Sequence, residues 1–388
     1  GVDIGFSVTA SGEGRVPVEV NARASVKILF VRISVSMSFT LGYVELPKKV
    51  YLAGNPTGDV RVWDPASANG VLVLNMGSRN SQRGIAEGAA NELYIIEHVG
   101  SDANGEIVRV KFSGRETIYK GVKKIVAFGG SGDDHIYVME GVTADVELHG
   151  GSGNDVFIYD GSGRAWLHGD DGDDYLYTGE RSGEVFVYGG AGSDYMIHDG
   201  GRRAVMEGGA GGDRIIGGSA GDLILGGSGG DDIDGRGGVD EIHGQDGDDL
   251  IHWDYQELVL GTVTGGGGND TLEIVMLTGA DDVSITSLGG NRFKVANLKS
   301  GVAAGSITAA DVERLSIDGR GGADKLTLGY MAGSGLDWIE LNAGQQVVQT
   351  GIELVTDPET GQPVEQPRVT VSNDGKADTI RILGSAGA

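Results

Sequence analysis

The chain has 388 residues, 71 of them glycine, 7 proline and none cysteine; 39% hydrophobic content without a three-residue period excludes collagen, full disorder, disulfides and thiolate metal sites. Its 56 acidic against 30 basic residues leave a formal charge of −26, which repels nucleic acid and anionic membranes, and repels the chain itself unless cations neutralise it. The length suits two or three conventional domains or one long solenoid, and no 18-residue apolar run exists to form a transmembrane helix.

Residues 1–50 read as antiparallel strands. Phe6-Ser7-Val8-Thr9-Ala10 and the stretch 26–39 alternate apolar with small or polar residues, the period-two signature of a half-buried strand. This segment is expected to be the tail of a preceding β-domain or a cap on the open edge of a solenoid. No positively charged region leads into an apolar one near Gly1, so no signal peptide is expected, and the chain reads as part of a larger or processed protein. Leu46-Pro47-Lys48-Lys49 and Gly54-Asn55-Pro56-Thr57-Gly58 read as a linker.

Residues 51–128 and 274–388 carry a weaker, longer echo. Val122–Asp134 resembles Val312–Asp324, and both Asn91 before Asp134 and Asp281 before Asp324 precede their partners by 43 residues. A third echo is Gly375-Lys376-Ala377-Asp378. These segments are expected to be wider, degenerate coils of one solenoid, with strands near 107–112 and 292–296 as hairpin-like arms. The stretch 358–367 reads as an inserted loop.

Between them, residues 129–273 repeat one nine-residue phrase. Gly150-Gly151-Ser152-Gly153-Asn154-Asp155-Val156-Phe157-Ile158 is its cleanest copy, and copies start at 129, 150, 169, 189, 208, 226, 244 and 265, with two more halfway at 217 and 235. Glycine permits the positive φ of a tight turn, the aspartate places a hard oxygen ligand at a fixed point in it, and the apolar residue closes a short strand. Steps of 18 to 21 residues imply one coil per step, so Ile136, Phe157, Leu176, Met196, Ile215, Ile233, Ile251 and Leu272 point inward on one side. Leu148, Leu167, Val187, Met206, Ile224, Ile242 and Val263 point inward on the other. A slip by one residue would bury His149, His168 and Glu207 instead. Two columns of single apolar residues make a thin core, and such a coil is expected to need metal to fold.

The tandem nonapeptide resembles the repeats-in-toxin (RTX) calcium-binding β-roll of secreted bacterial proteins. The resemblance implies an all-β fold, a right-handed parallel β-roll or β-helix solenoid with flanking degenerate coils and an N-terminal β segment. It implies calcium held between stacked loops by Asp134, Asp155, Asp174, Asp194, Asp213, Asp231, Asp249 and Asp270, and in a second column by Asp222 and Asp240, up to about eight ions in all. Asp170 and Gln245 replace the second glycine of their loops and Ala220 the third of its own, which should weaken those sites.

Catalysis is not expected. Two matches to G-x-S-x-G, at Ser219 and Ser228, lie inside the repeat without a strand-to-helix elbow, and no HExxH motif occurs. His149 and His168, one coil apart and continued by Tyr188 and Glu207, read as an exposed ladder rather than a metal pair. Trp166, Trp253 and Trp338 are scattered along the chain, without an evident sugar-stacking platform. The function expected is a secreted, extracellular or cell-surface structural or adhesive segment of adhesin, biofilm-matrix or surface-layer type, made rigid by calcium. The alternative is the calcium-triggered folding and secretion module of a larger RTX toxin or hydrolase. The continuation of weak repeats to Ala388 favours the former. Cell surface, polysaccharide or further copies of the chain are the partners in view.

Overall fold

The computed structural model describes residues 91–254 without a break, together with 2–9, 14–28, 31–46, 53–54, 65–66, 68–79, 260–276, 282–299, 302–318, 325–329, 331, 333–342, 352–356, 363–367, 369–371 and 379–382. Among these residues there is no α-helix. Short strands alternate between two sheets of 14 and 15 strands, antiparallel only in their arms and at one edge, and within the coils each strand pairs in parallel with the equivalent strand one coil away. The result is a β-solenoid of about nine turns.

Within the repeat, one coil runs through strand Val156–Tyr159 in the first sheet, a second-side loop, strand Ala165–Asp171 in the second sheet, and the glycine-aspartate loop that leads to strand Tyr175–Thr178. The register is the one the apolar spacing predicts: Ile136, Phe157, Leu176 and Met196 align across the first sheet, and Leu148, Leu167, Val187 and Met206 across the second. All fifteen predicted inward residues are buried.

The core is thicker than two columns in the first half of the roll. Val138, Tyr159, Thr178 and His198 form a third buried column, and Val146, Ala165, Val185 and Ala204 a fourth. Strands of four residues present two inward positions each, because side chains alternate with period two. The thin-core expectation therefore holds only for the coils opened by Asp213 and Asp231, where strands Arg214–Ile216 and Asp232–Asp234 have three residues each.

Both flanks continue the same two sheets. Strand Leu93–Asp102 pairs in parallel with His135–Val138, then continues into an antiparallel arm through Gly105–Phe112 and Arg115–Val122. On the other side, strands Asp282–Ser287, Arg292–Lys299 and Val302–Ala310 form a second arm, the last of them parallel to Leu260–Gly267. The 43-residue echo appears in the parallel pairing of Asp282 with Lys325. In the first flank it is shifted by one: His135 pairs with Leu93, so Asp134 stands opposite Glu92, and Asn91 opposite Asp133. Asp281, Asp324, the motif 375–378 and the linker residues 47–49 and 55–58 lie outside the described residues. Strand Thr379–Ile382, next to that third echo, pairs in parallel with Lys325–Leu328. The expected inserted loop at 358–367 is partly strand instead, since Pro363–Pro367 pairs antiparallel with Ile352–Thr356. A proline at the margin of a two-stranded ribbon sacrifices no interior ladder bond. Strands Val2–Thr9, Gly14–Ile28 and Val31–Leu46 form a separate antiparallel sheet, in keeping with their alternation.

Candidate metal centre

Stacking parallel coils brings the eight first-column aspartates into one file along the solenoid axis. All eight are buried. Each after Asp134 takes the main-chain N–H of the aspartate one coil earlier on its Oδ1: Asp134 donates to Asp155 at 2.6 Å, Asp155 to Asp174 at 2.7 Å, and the series runs through Asp194, Asp213, Asp231 and Asp249 to Asp270 at 2.8 to 3.0 Å. One oxygen of every carboxylate is thereby committed to holding the next loop in place.

The other oxygen is not. The Oδ2 atoms of Asp155, Asp174, Asp194, Asp213, Asp231, Asp249 and Asp270 are buried without a hydrogen-bond donor. A buried carboxylate oxygen without a partner costs several kilocalories per mole unless a proton or a cation neutralises it. Burial accordingly pushes the carboxyls of Asp155, Asp174, Asp194 and Asp231 up to about 7 and that of Asp270 to about 6, against the steady pull of the main-chain donors. Asp213 and Asp249 are raised for the same reason.

Geometry shows where a cation fits. A Cβ on Gly150 would meet Asp155 Oδ2 on one side and, at 2.5 Å, the carbonyl oxygen of Gly169 from the next coil on the other. The same two kinds of oxygen converge over the first glycine of every first-column loop. Both only accept hydrogen bonds, so the space between them suits a hard cation, which can be shared by two oxygens that have nothing to donate to each other. Among the described residues no three His, Cys, Asp or Glu side chains converge, so a cation at this position would draw its remaining ligands from main-chain carbonyls. Carboxylate and carbonyl oxygens suit calcium and fit zinc or copper poorly.

The second column is built on the same plan but better satisfied. Asp222 and Asp240 are buried; Asp222 Oδ1 accepts the Ala204 N–H at 2.7 Å and its Oδ2 the Gly218 N–H at 2.8 Å, while Asp240 Oδ1 accepts the Asp222 N–H at 2.8 Å. The degenerate loops keep their shape: Asp170 and Gln245 adopt φ of 74° and 81° where the other loops have glycine. Stacking contacts impose the conformation and the side chains bear the strain.

Two features escaped the sequence reading. The ladder extends past the repeats at both ends, because Glu92 donates its N–H to Asp134 Oδ1 at 2.7 Å and Asp270 donates its own to Glu313 Oε2 at 2.9 Å. An outer ladder also runs one residue earlier in several of the loops: Asn154 donates to Asp133, Asp173 to Asn154, Ser193 to Asp173 and Asn269 to Asp248. The Asn or Asp at the fifth motif position was its visible signal.

Residues 149–180, 181–203, 207–242, 225–252 and 262–273 match the family model for the RTX calcium-binding nonapeptide repeat (4 copies). This segment is an RTX repeat region. The RTX match begins one coil after the loop 129–134, whose Asp134 nevertheless stands in the same file with the same donor to Asp155. No curated protein matches the chain.

Outside the RTX loops, the predicted side-chain row is a stack. The rings of Phe128, His149, His168 and Tyr188 lie 4.9, 4.4 and 4.7 Å apart with planes within 14° of parallel, so the imidazole faces are covered by neighbours. Trp166 stacks on Phe186 at 5.5 Å, with Arg164 and Lys124 over its indole. Ser219 and Ser228 lie in or beside the glycine loops on opposite sides of the roll, and no described helix is long and apolar enough to cross a membrane.

Proposed function

We propose that Asp134, Asp155, Asp174, Asp194, Asp213, Asp231, Asp249 and Asp270 in the first column, with Asp222 and Asp240 in the second, are calcium ligands. On this reading the chain is a secreted, non-catalytic structural or adhesive segment of an extracellular bacterial surface or matrix protein. Residues 129–273 are its calcium-binding unit, 51–128 and 274–388 flanking coils of the same solenoid, and 1–50 a separate β segment. The observation that carries the proposal is the unbroken file of buried carboxylates, each with an acceptor oxygen turned toward the carbonyl of the next loop. Bound calcium supplies the positive charge that these facing oxygens lack.

A chain of net charge −26 with its aspartates stacked in a file resists folding while the carboxylates repel one another. Sites of the extracellular type, with Kd of about 10⁻⁴ to 10⁻³ M, stay empty where free calcium is scarce and fill outside a cell. Because the ligands come together only in the folded coil, binding free energy is folding free energy. The residues thus couple rigidity to the medium: pliable during export, stiff afterwards.

The test is far-UV circular dichroism during a calcium titration, with magnesium as control and a chelator to reverse it. A cooperative gain of β signal near millimolar calcium, absent with magnesium, supports the proposal. Full β structure in chelator would overturn the folding role.

A further inference from the structure

The aspartate file has a last level that lies outside the nonapeptide repeats. After strand Thr271–Val275 the chain leaves to form the second arm, and returns along strand Val302–Ala310, parallel to Leu260–Gly267. It then enters strand Arg314–Asp318, parallel to Thr271–Val275. Between those strands a six-residue loop, Gly265 to Asp270, is covered by a three-residue turn, Asp311-Val312-Glu313.

The short turn reproduces the chemistry of a full loop. Asp311, at φ 47°, accepts the Gly266 N–H on its carbonyl at 3.1 Å. That carbonyl also faces Asp270 Oδ2 across the space over Gly265, where every earlier level has the first glycine of the next repeat. Glu313 stands opposite Asp270 in register, and its Oε2 accepts the Asp270 N–H as an aspartate Oδ1 does elsewhere. The extra methylene of glutamate lets it reach across a turn shortened by three residues. Asp270 itself is fully buried, and its Oδ2 has no donor.

We infer that Asp270, the Asp311 carbonyl and Glu313 form a further calcium-type divalent cation site, one level beyond the last repeat, which joins the RTX roll to the coil after the second arm. The inference rests on the calcium reading of the column. It adds a ligand of a different residue type, contributed from 43 residues away by a segment without the motif. Metal at this level ties the flanking coil to the roll, so that the C-terminal flank becomes ordered by the same cation as the repeats.

The experiment uses the full chain and its Glu313→Gln variant. Glutamine keeps an oxygen to accept the Asp270 N–H and removes the charge. Bound ions are counted by native mass spectrometry at about 1 mM free calcium, in the extracellular-type range, and hydrogen exchange is followed with and without calcium. The expected result is one ion fewer in Glu313→Gln. Strands Val302–Ala310 and Arg314–Asp318 lose their calcium-dependent protection at least tenfold while 145–206 keep theirs. Equal ion counts and equal protection would overturn the site and leave Glu313 as a hydrogen-bonding cap. A single ion in the wild type that the variant lacks would support this site while removing the column reading. No ion in either protein would overturn both.

Discussion

The coils opened by Asp134, Asp155, Asp174 and Asp194 bury four side chains each across the two sheets, whereas those opened by Asp213 and Asp231 bury two apolar columns and a second file of aspartate. The wide coils advance 19 to 21 residues per level and the narrow ones 18. The difference lies in how the second-side loop is satisfied, since buried main-chain groups must find partners. In the wide coils the core reaches out to it: the Tyr159 hydroxyl donates to the Gly163 carbonyl at 2.8 Å, and His198 bridges the Thr178 hydroxyl at 2.7 Å and the Arg202 carbonyl at 2.9 Å. In the narrow coils that extra layer is gone, and Asp222 and Asp240 hold the loops by accepting their N–H groups. The outer Asn and Asp ladder also lapses there, at Gly212 and Gly230. One half of the roll is organised around apolar burial and the other around carboxylates, so the two should depend on cation to different degrees.

The largest expected effect separates the halves directly. On chelation, hydrogen-exchange protection in 213–248 should fall at least a hundredfold, the equivalent of about 2.7 kcal/mol for one site held at a hundred times its Kd. Strands Val146 to Ala204 should lose markedly less. Equal loss in both halves would show that the additional core columns add nothing independent of calcium.

Acid should partly stand in for calcium. The raised aspartates hold their protons more tightly folded than unfolded, so their contribution to metal-free stability is fully present below the ordinary value of 3.8 and is lost as pH rises through about 7. Metal-free protein should thus be more ordered at pH 4 to 5 than at pH 8, with the trend flattened by saturating calcium. Circular dichroism against pH in chelator checks this, and a gain of order with rising pH would contradict the burial of the file.

Core truncation should act on the wide coils without touching metal. Phe157→Ala is expected to cost about 3–5 kcal/mol in calcium, by denaturant titration, with an unchanged ion count. Tyr159→Phe removes only the hydroxyl bond to Gly163 and should cost about 0.5–1.5 kcal/mol. The smallest effect has the opposite sign: Asp170→Gly relieves the left-handed strain in its loop and should stabilise by about 1 kcal/mol. A loss instead would mean that the Asp170 carboxylate contributes more than its backbone costs.

Much of this could be read before folding was considered. The position of Asp155 in its glycine loop marked the file of carboxylates, and Phe157 and Leu167, ten residues apart, marked the two inward faces, because a strand has only two sides. Tyr159 and His198 were not legible as core, since a tyrosine and a histidine carry polar atoms whose partners lie in loops of unspecified shape. Nor was Glu313, which becomes equivalent to an aspartate only once an arm of variable length has returned the chain to the stack. The register of the first flank was misjudged by one residue for the same reason: Asn91 and Glu92 are adjacent, and only pairing with Asp133 and Asp134 tells them apart.

Sequence alone determined the all-β coil, its pitch, the inward columns and the file of carboxylates, because each arises from local chemistry repeated at a fixed period. Tertiary structure alone decided which oxygens are left without donors, how the second side closes and where the file ends. Those depend on what the neighbouring coil presents at hydrogen-bonding distance, and nonadjacent segments meet only when the stack is formed.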